Sequence, residues 1–343
     1  MKWVFAPMMA LALCAVLIVG NAAKSIPSLA EPLARTEFLL NTVVTITLYE
    51  GGDDAALEEA FALCADMESR LSRTLPGSDV YRINHAQGRP VMVGEDCASL
   101  LREGIGFGEL TGGALDITVE PLSSLWDFTA DKPRVPTGAA IDAARVLVDY
   151  REIHLTDDNI LTLPPGMGID LGAVAKGYIA DRIALLLREL GVTSALINLG
   201  GDVRAVGGKP NGEQWRVGIK RPFAKEGQLA GVATVSDMSV VTSGTYERGF
   251  ESNGVWYHHL MDTRSGYPAQ CGLHSVTVIS ASALTGDALS TACFVMGARE
   301  GLALIERQPG VEAVFITEDF QTLLSSGIES GETLYQSLLD GED

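Results

Sequence analysis

Residues 176–206, KGYIADRIALLLRELGVTSALINLGGDVRAV, decide the fold. Ile179, Ile183, Leu186, Leu187 and Leu190 recur at helical spacing, and Gly191 supplies the stop, so a helix is predicted from Lys176 to Leu190. It feeds straight into a strand-like run, Ser194–Leu199. After Gly200-Gly201 the chain continues as a second such run, Val203–Val206.

Working outward, further strand-like runs follow at Trp215–Ile219, Gly231–Val235, Val240–Ser243, Trp256–Met261 and Ser275–Ser280. Upstream, Asn41–Tyr49 alternates Val43, Ile46 and Leu48 with threonines and reads as a strand entering the domain. Ala55–Leu71 and Asp96–Leu110 read as helices, the first with Leu57, Ala60, Phe61, Cys64, Met67 and Leu71 on one face. Thr129–Gly138, with two prolines, is the expected long surface loop. The order is mixed rather than a strict alternation of strand and helix. It predicts an α+β fold, a mixed, largely antiparallel sheet packed with helices, and not a doubly wound nucleotide fold. No linker divides the chain, and no repeat appears.

The 343 residues carry 47% hydrophobic and 20% charged side chains, which excludes intrinsic disorder. Twenty-five basic against forty-four acidic residues leave a net charge of −19, with no Lys/Arg stripe to follow a phosphate backbone, so nucleic acid is not an expected partner. The same charge repels any phosphate-bearing small ligand unless a metal cation or helix N-termini reverse the local field. At the N-terminus, Lys2 precedes an apolar run from Trp3 to Gly20, then small and polar residues to Ala30. Residues 1–30 are therefore expected to be a signal peptide or membrane anchor, and 31–343 the working domain, exported to the periplasmic side. Ser28-Leu29-Ala30 offers a small-x-small cleavage pattern, whereas lipidation at Cys14 is disfavoured by the bulk of Leu13. Cys64, Cys97, Cys271 and Cys293 are widely spaced, so buried free thiols and one disulfide both remain open.

The motifs of dinucleotide folds, P-loops and zincins are absent. Gly112-Gly113-Ala114-Leu115-Asp116 lets backbone approach a planar ligand, although a glycine turn entering a strand explains it as well. Gly168–Gly177, GIDLGAVAKG, is an apolar strand that breaks at small residues and opens into the strong helix, where free backbone N–H groups suit an anion. Asn198–Asp202 reads as scaffold with ligand contact left open, and Thr242–Thr245 clusters hydroxyls around one glycine. His258-His259-Leu260-Met261-Asp262 sets two histidines beside a carboxylate, as an oriented acid/base group requires. In Thr285–Gly297, Asp287 and Thr291 stand four apart and project from one helix face. Two oxygen donors there suit magnesium, which takes oxygen ligands and completes its shell with water and phosphate; a helix cap is the alternative for Asp287.

These segments together resemble the FAD:protein FMN transferases, the flavin transferases long labelled thiamine-biosynthesis lipoproteins. The resemblance runs from about Thr36 to about Ile328 and rests on GALDITVEPLSSLW, DLGAVAKGY with Asp181 after it, INLGGDV, SVVTSGTYER, YHHLMD with its Gly-Tyr-Pro, and DALSTACFVMG, in family order. It implies an exported, magnesium-dependent enzyme that attaches the FMN half of FAD to a Thr or Ser of a target flavoprotein and releases AMP. It also implies Mg²⁺ held by Asp287, Thr291 and the Ala173 carbonyl. FAD would be held by Ala114, Leu115, Asp116, Asp170 and Lys176 and near Met261. His259 matches the family's histidine and, oriented by Asp262, is expected to deprotonate the acceptor hydroxyl. The implied acceptor is a flavoprotein subunit of a membrane redox complex. Two positions depart from the family: Leu40-Asn41-Thr42 replaces its usual Met-Gly-Thr, and Thr74 or a neighbour replaces an aromatic residue that covers the flavin. An FAD diphosphatase and a non-catalytic periplasmic flavin-binding protein are the competing expectations.

Overall fold

Eight strands cross one antiparallel sheet in the order in which the chain makes them: β1 (Leu33–Leu39), β2 (Thr42–Glu50), β3 (Ser194–Leu199), β4 (Asp202–Val206), β5 (Ser239–Gly244), β6 (Leu273–Ser280), β7 (Glu312–Thr317) and β8 (Thr322–Leu324). The computed structural model describes residues 31–225, 227–331 and 333–339, so the expected export segment, residues 1–30, lies outside it. No described helix is long and apolar enough to cross a membrane. The predicted α+β class is the observed one. β1, which the sequence pattern does not disclose, is an edge strand with mostly solvated side chains and so has no apolar alternation to read.

The period of two sorts side chains between the faces of the sheet. Ile46 and Leu48 of β2 and Ala195, Ile197 and Leu199 of β3 face helices α1 (Asp54–Leu71), α3 (Glu95–Thr111) and α6 (Ala175–Glu189), with α2 (Asp79–Asn84) beside them. Val276 and Val278 of β6 and Ala313 and Phe315 of β7 face α7 (Ala283–Met296) and α8 (Ala298–Ile305). On the opposite face Val240, Ile279, Val314 and Ile316 meet a small sheet built from Trp215–Lys220, Leu229–Val235 and Leu334–Ser337. A satellite core gathers Leu122 and Trp126 of α4 (Glu120–Trp126), Ile141 of α5 (Gly138–Arg145) and Met261.

Three sequence expectations change, the first being that the segment from Gly168 to the start of α6 is not a strand: a single isolated bridge joins Gly168 to Val119, and turns lead from there into the helix. Trp256–Met261 is not one strand: Val255–His258 closes a hairpin with Gly249–Ser252, and Met261–Asp262 pairs separately with Tyr267–Pro268. α7 starts four residues before Asp287, capped by Ser282, whose hydroxyl accepts the Thr285 amide. Asp287 is therefore interior to the helix and not its cap. The four described cysteines are free, three of them buried, with Cys271 half-buried.

α6 and α7 run antiparallel in unusually close contact. Asp181 of α6 receives the Ala283 and Leu284 amides at 2.9 and 3.0 Å and the Ser282 hydroxyl at 2.7 Å, satisfying the free donors at the start of α7. One turn back along α6, the Gly177 amide donates to Asp287 at 3.0 Å. Gly177 permits the approach, because a Cβ there would lie 2.3 Å from the Ala283 carbonyl oxygen, and backbone cannot yield as a side chain does. Gly177→Ala is expected to lower stability by at least about 1 kcal/mol, overpacking outweighing the roughly equal helix-propensity gain that alanine brings. Urea unfolding checks this; wild-type stability would show that the helices do not need the glycine.

Candidate active site

The start of α6, the first residue of β4 and the second turn of α7 converge on one ion cluster. Lys176 Nζ lies 2.5 Å from Asp202 Oδ2 and 3.0 Å from Asp287 Oδ1. The second oxygen of Asp287 takes the Gly177 amide, and Oδ1 of Asp202 takes the Thr242 amide at 3.2 Å. The Asp287 side chain is 4% exposed and that of Asp202 11%, so the ammonium compensates two nearly buried carboxylates. Burial opposes the charged form of Lys176, yet the two acids beside it win and raise its pKa. Burial and the nearby Asp287 raise Asp202, with Lys176 pulling the other way. Asp202 was legible only as a Gly-Gly-Asp turn, and pattern alone leaves it as scaffold.

Thr291 stands one turn beyond Asp287, as its spacing predicts. Its hydroxyl lies 3.0 Å from Ser243 Oγ, which also meets Ser290 Oγ at 2.9 Å. Thr242 and Ser243 thus bring the hydroxyl cluster of β5 to the ion cluster. Because the Gly177 amide is directed to Asp287, no backbone amide donates to the Ala173 carbonyl among the described residues. Asp287, Thr291 and Ala173 supply only oxygen, and an ammonium already rests on Asp287, so the donor chemistry fits a hard divalent cation. Among the described residues no group of three or more His, Cys, Asp or Glu could hold a metal.

The remaining predicted residues are engaged elsewhere in their own surroundings. Asp170 caps its own turn through the Gly172 amide at 2.9 Å and pairs with Arg73 at 3.5 Å, which brings the loop containing exposed Thr74 to the same edge. Asp116 is buried and committed: its oxygens accept the Thr118 amide and hydroxyl and the Tyr150 amide. Burial raises its pKa against those bonds. The side chains of Ala114 and Leu115 are buried, leaving backbone as what this loop can offer a ligand. The Thr263 hydroxyl donates to the Gly113 carbonyl at 2.9 Å and ties the loop to the turn after His259, while Met261 sends its side chain into the satellite core.

The histidines divide sharply. His258 is 5% exposed, its Nε2–H donating to the Ala269 carbonyl at 3.0 Å and its Nδ1 accepting the Leu260 amide at 3.3 Å. It is a core residue. His259 is half-buried, and its Nδ1 lies 3.2 Å from the Arg248 carbonyl. That contact assigns the proton to Nδ1 and leaves Nε2 as the basic nitrogen. Burial first, then the positive Arg248 and Lys176, hold His259 below its ordinary range, so it is neutral at pH 7. The expected orientation by Asp262 is not what the structure has. The Asp262 carboxylate accepts the Arg264 and Ser265 amides of its own turn, and the strand break after His258 separates the two residues.

Arg248 also reaches the Asn41 carbonyl at 3.5 Å, which sets the β1–β2 hairpin tip beside the histidine. Leu40 and Asn41 both have φ 55°, the left-handed pair of a two-residue hairpin. Asn41 can thus occupy the position of the family's glycine without changing the turn, since asparagine tolerates that backbone.

The model of the ApbE family matches residues 40–315. An FAD:protein FMN transferase of Klebsiella pneumoniae is 39% identical over 291 residues, 84% of this chain and 90% of that protein. One of Treponema pallidum is 36% identical, covering 86% and 87%. The crystal structure of the ApbE protein of Thermotoga maritima superposes with a TM-score of 0.82 at 32% identity, covering 88% of this chain and 99% of that one. The apo flavinyl transferase ApbE of Pseudomonas stutzeri gives 0.77 at 31% identity, covering 88% and 96%.

The two histidines make separable predictions. Burial takes His258 from 6.5 down to about 4, so the fold favours its neutral form. The stability this lends is complete above about pH 6.5 and drains as pH falls toward 4, because the unfolded chain binds the proton first. His258→Asn should therefore be less stable than wild type at pH 7, with a smaller gap at pH 5. Urea titrations at both pH values test it, and an unchanged gap would contradict the buried neutral imidazole.

Proposed function

This chain belongs to the ApbE family, and from that premise we propose that it transfers the FMN half of FAD to a Thr or Ser hydroxyl of a target flavoprotein, with Mg²⁺ bound and AMP released. The observation that carries the proposal is the convergence of Lys176, Asp202 and Asp287 with the Ser243–Thr291 hydroxyl pair, a cation-ready centre on a protein of net charge −19. Such a centre answers the repulsion that an acidic surface imposes on a diphosphate.

Asp287, Thr291 and the Ala173 carbonyl would hold the metal, which when bound polarises the diphosphate oxygens and favours departure of AMP. Lys176 supplies a further positive charge to the diphosphate, fixed in place by Asp202. The Gly112–Asp116 backbone and Asp170 line the flavin side, with the Thr74 loop in place of the family's aromatic cover. His259 accepts the acceptor hydroxyl's proton at Nε2 as the oxygen attacks the FMN phosphorus in line, and the Arg248 carbonyl keeps the ring in that tautomer. A neutral imidazole at pH 7 is the form a general base needs.

The acceptor fits a flavoprotein subunit of a membrane redox complex. Residues 1–30 fit export to the periplasmic side, by cleavage or with inner-membrane anchoring, and the domain from residue 31 onward carries the activity.

His259→Ala should bind FAD nearly as wild type, by flavin fluorescence, while FMN transfer to acceptor falls about 10²- to 10⁴-fold, as for a missing general base. Asp287→Ala should abolish transfer at ordinary Mg²⁺, because the charge that builds on the diphosphate is then unmet. Transfer by His259→Ala at the wild-type rate would remove the histidine from the reaction. Full wild-type activity in excess EDTA would remove the metal.

A further inference from the structure

Lys176 occupies a place of conflict. Its ammonium lies 3.0 Å from Asp287 Oδ1, and the other Asp287 oxygen is engaged by the Gly177 amide at 3.0 Å. The carboxylate proposed to hold the metal is thus already satisfied by a cation of the chain's own. A divalent ion arriving alone must either settle beside the ammonium, against Coulomb repulsion, or displace it. Complete displacement is unfavourable, because Asp202 is almost buried and its nearest cation is Lys176 at 2.5 Å.

The geometry offers a way out. Asp202 is itself fixed, Oδ1 receiving the Thr242 amide at 3.2 Å, so Lys176 can keep this partner and turn its ammonium from Asp287 toward a new anion. The diphosphate of FAD is that anion under the reading above, on which this inference rests. We infer that Lys176 is a placeholder cation: pivoting on Asp202, it guards Asp287 until FAD draws it away, so that metal alone binds poorly and metal and FAD bind cooperatively. Lys176 then acts as a positioning residue that sets the order of assembly. The cell's free divalent ions do not fill the site ahead of the substrate. By linkage, whatever factor FAD adds to metal affinity, metal adds to FAD affinity.

Binding measurements test this without turnover. Mn²⁺ is titrated into the folded protein with and without FAD, and free Mn²⁺ is read by its EPR signal after subtraction of the FAD-only control. In the wild type, FAD should tighten Mn²⁺ binding by between about 5- and 150-fold, the usual span of a coupling between two sites. Lys176→Met, similar in length and uncharged, should bind Mn²⁺ without FAD more tightly than wild type by a factor in that span. Its FAD-induced tightening should shrink correspondingly. Lys176→Arg, which keeps the charge, should keep both weak metal-alone binding and the coupling, and it secures the test if the methionine variant proves unstable by thermal denaturation.

Equal tightening of Mn²⁺ by Lys176→Met with and without FAD would show a general charge effect and overturn the placeholder. So would metal-alone binding no tighter than wild type, or an arginine variant behaving as the methionine one. A wild type that binds Mn²⁺ with FAD but without coupling overturns this inference alone. A wild type that binds no Mn²⁺ even with FAD overturns the metal reading as well.

Discussion

The site depends on the contact that a missing side chain at Gly177 allows between α6 and α7. With a hydrogen atom there, the two helices close until the Gly177 amide reaches Asp287 and Asp181 reaches the exposed amides that begin α7. That amide is diverted from the ordinary helical partner, which leaves the Ala173 carbonyl without a backbone donor among the described residues. One close approach thus fixes the carboxylate and redirects the amide that would otherwise meet the Ala173 carbonyl. The sheet contributes the rest: β4 brings Asp202 and β5 brings Thr242 and Ser243 to the ends of these helices.

Electrostatics explains why the cluster contains a lysine at all. Two nearly buried carboxylates so placed would repel each other, and the ammonium between them offsets that repulsion. On a chain of net charge −19, this is where an ammonium stands between two nearly buried carboxylates. His259 lies outside this cluster but within its field, and the positive Lys176 and Arg248 help to keep it neutral.

Much of this was readable in the chain. The apolar stripe from Ile179 to Leu187 and the stop at Gly191 give α6 within one residue at each end, and the β3 run is recovered whole, because both are buried against one layer and obey one period. The four-residue spacing of Asp287 and Thr291 survives a shifted helix start, since a face depends on spacing and not on where the cap lies. What local pattern could not disclose was tertiary. Asp202 meets Lys176 across 26 positions and Asp287 meets it across 111. Asp116 and Asp262, acids in motifs that resemble ligand sites, turn out to hold backbone amides near them. The two histidines are adjacent in sequence and differ only because the strand ends between them, one ring entering the core and the other facing Arg248.

The reaction proposed for this centre moves FMN onto a protein hydroxyl. Its most direct measurement is the intact mass of a candidate acceptor flavoprotein fragment after incubation with the domain, FAD and Mg²⁺. The acceptor should gain the mass of FMN less one water, on a Thr or Ser, with AMP formed in equal amount. Free FMN and AMP with an unmodified acceptor would make the protein a diphosphatase, and bound FAD with neither product would make it a flavin carrier. Either result would contradict the claim.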